Sequence, residues 1–304
     1  MKHNVFMPNH YLIQLLVIVY TQFKIFQELR YGVFNDSVNT FMILEVCLIA
    51  LFHDCLNTTL NFLFNPDIRV VSLDGSIGAG KSTLFNEFKK RNSKSNFNWF
   101  TYPRYYFLDE PVGLWSTIKN SDGKGILQMF YEDKKRYSYT FQNMAYITRA
   151  QLLLDLIESL KKITYQNFWY KLFFNQYIIV SERSILTDKY VFAQMLYHSQ
   201  DINQAEMECY NKWHGMLVEK VKLTKMIYVK TSVKVCLDRI KKRSRGGESA
   251  INEKYLQDLE LYHEKWIQDS GNKMQILILD TTEEFESNTE LFNKHLDRIV
   301  NFIN

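Results

Sequence analysis

The sequence predicts an α/β fold: a parallel sheet of about five strands, flanked by helices. Three observations predict it. Short runs rich in β-branched and aromatic residues recur between residues 68 and 279. Helix-length segments separate them, and strands that alternate with helices pair in parallel with both faces covered. The first run ends in a glycine cluster where a helix begins. With only 11 glycines in the chain, the concentration of Gly75, Gly78 and Gly80 within six positions is informative.

The opening stretch, residues 1–66, reads differently from the rest. Residues 11–20 (YLIQLLVIVY) and 41–52 (FMILEVCLIALF) are apolar. Each falls short of the ~20 apolar residues of a membrane-spanning helix. Lys24 stops extension of the first, and Glu45 lies inside the second. A mitochondrial transit peptide fits poorly, because Arg30 is the only arginine in the stretch. Three readings stay open: a packed helical extension, a signal or anchor segment, and a segment absent from the working protein. The expected organisation is an apolar extension over 1–66 and one domain over 67–304.

From there the elements follow in order. Residues 68–73 (IRVVSL) predict the first strand and 81–90 a helix. Residues 105–108 predict the second strand. Residues 142–162 predict a long helix with Leu152, Leu153, Ile157 and Leu160 on one face. Residues 177–180 (YIIV), 225–229 and 275–279 (QILIL) have the composition of buried strands. Helices are expected between them, including 233–242 and 253–267. Polar residues able to do chemistry collect where strands end: 75–83, then Asp109-Glu110-Pro111, then Ser181-Glu182-Arg183, then Asp280. Ligands of open α/β sheets bind beyond the carboxyl ends of the strands, so these segments are expected to meet along one edge.

Composition narrows the classes. A chain of 304 residues, 46% hydrophobic and 23% charged, can bury a sizeable core. A net charge of +4 is no nucleic-acid binder's excess, but it suits an anionic small ligand. Cys47, Cys55, Cys209 and Cys236 form no CxxC pair and no Cys/His cluster for zinc. They read as free thiols of a reducing compartment, which points to the cytoplasm.

Gly75-Ser76-Ile77-Gly78-Ala79-Gly80-Lys81-Ser82 fits GxxxxGK[ST] in full, between a strand and a helix. That is the phosphate loop of the P-loop NTPase fold. Glycines let the backbone curl so that its N–H groups surround phosphate oxygens, and the helix N-terminus adds its dipole. Lys81 reaches the β- and γ-phosphates, the Ser82 hydroxyl suits Mg²⁺, and Thr83 continues the loop.

Further motifs stand in a fixed order: Glu110-Pro111-Val112 with Trp115, Tyr131 with Phe141-Gln142, Glu182-Arg183-Ser184, and an arginine-rich stretch over 239–245. Together they resemble the deoxynucleoside kinase family, the deoxycytidine, deoxyguanosine and mitochondrial thymidine kinase group. The resemblance covers about residues 68–300. It implies ATP-dependent phosphorylation of a deoxynucleoside 5′-hydroxyl, with Mg²⁺ and ATP or another nucleoside triphosphate as donor. It implies that Glu110 is the general base, Glu182 part of the Mg²⁺ environment and Arg183 a phosphate contact. Arg239, Lys241, Lys242, Arg243 and Arg245 resemble the family's lid, although Gly246-Gly247 stand where a more acidic lid is expected.

The same resemblance gives the acceptor pocket apolar walls at Ile77, Trp115, Leu127, Phe130, Phe141 and Phe192. It gives Gln142 to the base edge, and Tyr131 and Glu248 to the 3′-hydroxyl. Arg149 lies seven residues after Gln142, about two helical turns, so both can share a face. Arg149 with Asp188, and Ala145, resemble the deoxycytidine and purine members more than the thymidine members. Asp280, Glu283 and Phe285 resemble the loop beside the donor adenine. A homodimer is implied, with no nucleic-acid partner; membrane contact through 1–66 is not favoured. Two alternatives remain: a nucleoside monophosphate kinase, and a non-catalytic scaffold such as the accessory subunit of respiratory complex I with this fold.

Overall fold

A computed structural model of the chain describes residues 65–93, 104–166, 176–243, 248, 251–270 and 274–304. The extension expected over 1–66 lies outside the described residues except for its last two, as do Arg245, Gly246 and Gly247 of the expected lid. The chain divides into two units, one of Pro66–Ile163 with Gln176–Asn304 and one of Met1–Asn65 with Thr164–Asn175. In the second unit the Tyr165 hydroxyl donates to the Asn65 side chain at 2.8 Å. The first unit carries the site and every element described below except the last three residues of the long helix Lys134–Gln166.

β1 (Asp67–Gly75) runs into α1 (Lys81–Ser93), and β2 (Arg104–Leu108) into α2 (Val112–Thr117), α3 (Ile126–Glu132) and the long α4 (Lys134–Gln166). β3 (Gln176–Glu182) leads through α5 (Ile185–Thr187), a π-helical segment (Asp188–Ala193) and α6 (Gln194–His198) to α7 (Gln204–Val218). β4 (Leu223–Lys230) precedes α8 (Val233–Arg243) and α9 (Glu253–Ser270), and β5 (Gln275–Asp280) precedes α10 (Thr289–Ile303).

The five strands form one parallel sheet in the order β2-β3-β1-β4-β5. β3 is buried from Tyr177 to Ser181, and β1 from Val70 to Gly75. Both faces of these strands are covered, which is why their sequences are nearly continuous apolar runs rather than alternating ones. On one face Phe88 of α1 meets Tyr105 and Phe107 of β2 edge-on, with ring centres 5.5 and 5.6 Å apart. Leu296, Ile299 and Ile303 of α10 complete burial on the other edge.

Order matters for the site. The chain leaves β1 for β2 and then returns to lay β3 between them. Connections therefore diverge at β1, and a crevice opens beyond the carboxyl ends of β1 and β3. The expected meeting of strand-end segments takes place there. One boundary differs from expectation: α4 begins well before residue 142. The Asp133 carboxylate accepts from the Arg136 N–H at 3.0 Å, capping a polar first turn that carries no apolar period to read.

Candidate active site

The phosphate loop is built from conformations that only glycine adopts cheaply. Gly75 and Gly78 have φ of +146° and +81°. A Cβ at either would lie 2.4 Å from the Val229 carbonyl oxygen or 2.5 Å from that of Cys236. Loop and neighbouring backbone thus fit only without side chains. Lys81, at the start of α1, turns its ammonium back onto the carbonyls of Gly75 and Ser76, at 3.1 and 2.7 Å. Burial, reinforced by the Arg183 charge, lowers its pKa to about 8. The Ser82 hydroxyl donates to the Glu182 carboxylate at 2.5 Å, joining the loop to the end of β3.

Arg183 follows in the left-handed region at φ +67°. Such backbone is costly for a non-glycine residue and persists only where the surroundings fix it. Here its N–H donates to the Leu73 carbonyl at 3.0 Å and its guanidinium to the Gly75 carbonyl at 3.3 Å. The twist also sets the guanidinium 4.6 Å from the centre of the Phe192 ring.

Glu110 ends the segment after β2. Its Oε1 accepts from Arg149 Nη2 at 2.9 Å and from Arg183 Nε at 3.4 Å. Burial alone would raise its pKa, but the charges of Arg183, Arg149 and Lys81 outweigh burial and hold the carboxyl below its ordinary value. Glu110 is therefore a carboxylate with an unshared oxygen edge beside the phosphate loop. Arg149 reaches both ways, since its Nη1 donates to Asp188 Oδ2 at 2.5 Å. Asp188 also lines the cleft, and burial lifts its pKa although Arg149 pulls against it.

Around these charges lies an open cleft. Ile77, Trp115, Leu127, Phe130, Phe141 and Phe192 are its apolar walls, and Gln142, Ala145 and Arg149 share the face of α4 that lines it. Phe130 stacks on Phe141 with ring centres 4.9 Å apart, and Trp115 meets Phe141 edge-on at 5.4 Å. The Trp115 N–H donates to Thr148 at 3.0 Å, which fixes the ring. The slot suits a planar aromatic ligand.

Tyr131 and Glu248 stand on the same cleft. Burial holds the Tyr131 pKa well above its ordinary value, helped by Tyr255, Glu248 and Glu110 nearby, so the group stays a hydroxyl. Both oxygens of Glu248 are held by one edge of the Arg243 guanidinium, from Nη2 at 2.6 Å and Nε at 3.0 Å. Arg243 itself lines both the cleft and a second recess beside the phosphate loop. Gly78, Ala79, Gly80, Ser82, Thr83, Arg239 and Lys242 also line that recess.

Asp280 and Phe285, expected beside the donor adenine, are not among the residues that line this recess. Asp280 is exposed at the end of β5, where it accepts from the Thr282 N–H at 2.9 Å. Phe285 is wholly buried: its ring packs beneath Gly80 and under the Arg239 guanidinium, 5.3 Å away. The recess is lined instead by Glu284 and Glu286, and Glu286 accepts from Thr83 at 2.9 Å. Arg239 donates to the carbonyls of Ala79 and Thr281, bracing the loop.

The sequence reading missed two cleft residues, Val112 and Tyr255. The Tyr255 hydroxyl is buried with no hydrogen-bond partner, and its ring carries the Lys134 ammonium 3.9 Å from its centre. No local signal marks it, because aromatics are abundant in this chain. The Arg149–Glu110 bond was also missed; only the pairing of Arg149 with Asp188 could be read from position.

Comparison with known proteins agrees with this geometry. A family model described as deoxynucleoside kinase matches residues 71–304. Deoxycytidine kinase 2 of Gallus gallus is 30% identical over 264 residues, 79% of this chain and 92% of the relative. The mitochondrial deoxyguanosine kinase of Xenopus laevis is 26% identical over 271 residues, 82% of this chain and 94% of the relative. The deoxycytidine kinase of Homo sapiens is 30% identical over 247 residues, 73% of this chain and 87% of the relative.

Proposed function

The chain belongs to the deoxynucleoside kinase family, and from that premise we propose that it transfers the γ-phosphoryl group of ATP to the 5′-hydroxyl of deoxycytidine or a purine deoxynucleoside. One observation carries the reading: the Glu110 carboxylate, and the Arg149–Asp188 pair bonded to it, line one cleft together with the phosphate-loop residues and the aromatic slot.

The acceptor's base enters the slot against Phe141, with Gln142, Arg149 and Asp188 along its polar edge. Its sugar faces Tyr131 and Glu248, and its 5′-hydroxyl faces Glu110. Glu110 takes the hydroxyl proton as the oxygen attacks the γ-phosphorus and the bond to the ADP oxygen breaks. Charge spreads over the transferred oxygens, and Lys81, Arg183 and Arg243 supply fixed positive charge within reach of them. Arg245 joins them in this reading; it lies outside the described residues.

The hydroxyl of Ser82 and the carboxylate of Glu182 are adjacent hard oxygen ligands, which fits Mg²⁺ carried on a triphosphate. Bound there, the ion would neutralise charge on the β- and γ-phosphate oxygens.

The base preference rests on Arg149 and Asp188, which together offer donors and an acceptor to an amino-bearing base edge. A second copy of the chain is the proposed partner. Ile147 on α4 and Trp213 and Met216 on α7 are large apolar side chains left exposed, and the Tyr146 hydroxyl donates to the Trp213 carbonyl to tie the two helices. Cys209 and Cys236 are free, in keeping with a reducing cytoplasmic setting. No helix among the described residues is long and apolar enough to cross a membrane.

The test is a transfer assay with ATP and Mg²⁺ against the four deoxynucleosides and their monophosphates. Transfer to deoxycytidine, deoxyadenosine or deoxyguanosine above thymidine is expected. Thymidine preference would overturn the base reading. Transfer only to monophosphates would overturn the acceptor reading.

A further inference from the structure

A buried carboxylate behind the site has no part in the chemistry above. Asp74 is fully buried at the end of β1, one residue before Gly75 of the phosphate loop. Its two oxygens serve different neighbours. Oδ1 accepts from the Ser184 N–H at 3.1 Å and from the Thr187 hydroxyl at 2.5 Å. Among the described residues Oδ2 accepts only from Ser72 of its own strand, at 2.5 Å.

The segment held by Oδ1 is the short link between Arg183 and Asp188. Its start is capped by Ser184, whose hydroxyl accepts from the Thr187 N–H at 3.0 Å, and the Asp188 N–H donates to the Ser184 carbonyl at 3.2 Å. Beyond Asp188 the chain takes a π-helical turn, a widened geometry that is common at functional sites and sensitive to how its start is held. Asp188 meets Arg149 through a single bond, from Nη1 to Oδ2, so a small shift of its backbone would misplace the pair that reads the base edge.

We propose that Asp74 is a positioning residue: through Thr187 it fixes Asp188, and with it base discrimination, relative to the phosphate loop. The inference rests on the base-reading role given above to Arg149 and Asp188. Oδ1 reaches the segment that carries Asp188, and Oδ2 reaches Ser72 of its own strand, so the two bonds can be removed separately.

That asymmetry provides the test. Ser72→Ala and Thr187→Val each remove one hydroxyl donor from the same carboxylate. The ratio of kcat/KM for the best used of deoxycytidine, deoxyadenosine and deoxyguanosine to that for thymidine is measured in both, with thermal melting as the check on folding. Thr187→Val is expected to lower the ratio by about tenfold or more, the scale on which a misplaced contact acts. Ser72→Ala is expected to leave it unchanged at a similar cost in melting temperature. Thr187→Ser, which keeps the hydroxyl, and Asp74→Asn, which keeps Oδ1, are expected to retain the wild-type ratio. If Thr187→Val does not fold, Thr187→Ala removes the same hydroxyl without setting a methyl against the carboxylate. Equal effects of Ser72→Ala and Thr187→Val, or an unchanged ratio in both, overturn the inference while leaving the base reading intact. A wild-type enzyme with no preference between the two nucleosides overturns both.

Discussion

Two guanidinium groups hold Glu110, and they make its protonation a readable quantity. Arg183 and Arg149 overcome the burial that would otherwise raise its pKa. A carboxyl with a lowered pKa stays ionised as pH falls, so the acid limb of kcat/KM for the nucleoside lies below the ordinary carboxyl range of about 4.3. Arg149→Met removes one of the two charges. It is expected to move that limb upward, and a pH–rate profile of the variant checks it. Lys81 gives the opposite limb. Its charged form is lost as pH rises through about 8, because burial and Arg183 disfavour it. In the free enzyme kcat/KM for ATP should therefore fall above about pH 8. A lysine at its ordinary value would hold the profile flat to roughly pH 10.

Among the elements, the turn from β1 to α1 tolerates least. Gly78→Ala would add a Cβ 2.5 Å from the Cys236 carbonyl at a φ of +81°. The backbone strain alone costs about 1–3 kcal/mol, and displacement of α8 should remove ATP binding as well. Denaturant unfolding and nucleotide titration of the variant measure the two effects separately. The same turn was legible in the sequence because its constraint is local: glycines, lysine and serine stand at fixed spacing. β1 and β3 were legible because strands buried on both faces need continuous apolar runs. What resisted reading depends on packing between distant segments. Arg149 is 39 residues from both Glu110 and Asp188, and its bond to Glu110 follows from where β2 ends relative to α4. Phe285 reads like Trp115 or Phe141 in sequence, yet it faces the underside of the loop rather than a cleft. Asp74 gives no sign of its partners until β3 is laid beside β1.

At the scale of the whole molecule, strand order does the assembling. Placing β3 between β1 and β2 brings Glu110, Glu182 and Arg183 to the phosphate loop. α4 then adds Gln142 and Arg149 from across the cleft. The outer side of α4 and α7 leaves Trp213 half exposed and Met216 more so, a surface that water disfavours and a second copy would cover. Light scattering is expected to give the mass of a dimer, and Trp213→Glu combined with Met216→Glu is expected to give a monomer. A monomeric wild type would remove the dimer from the proposal without touching the site.

The most direct measurement is turnover of deoxycytidine by wild type and Glu110→Gln, with calorimetric titration of ATP and deoxycytidine on both. Glutamine keeps the size and one acceptor oxygen but cannot take the 5′-hydroxyl proton. The expected result is a loss of about 10²–10⁴-fold in kcat with both ligands still bound. Turnover retained at near the wild-type rate would contradict the role of Glu110 and, with it, the orientation of acceptor and donor across the phosphate loop.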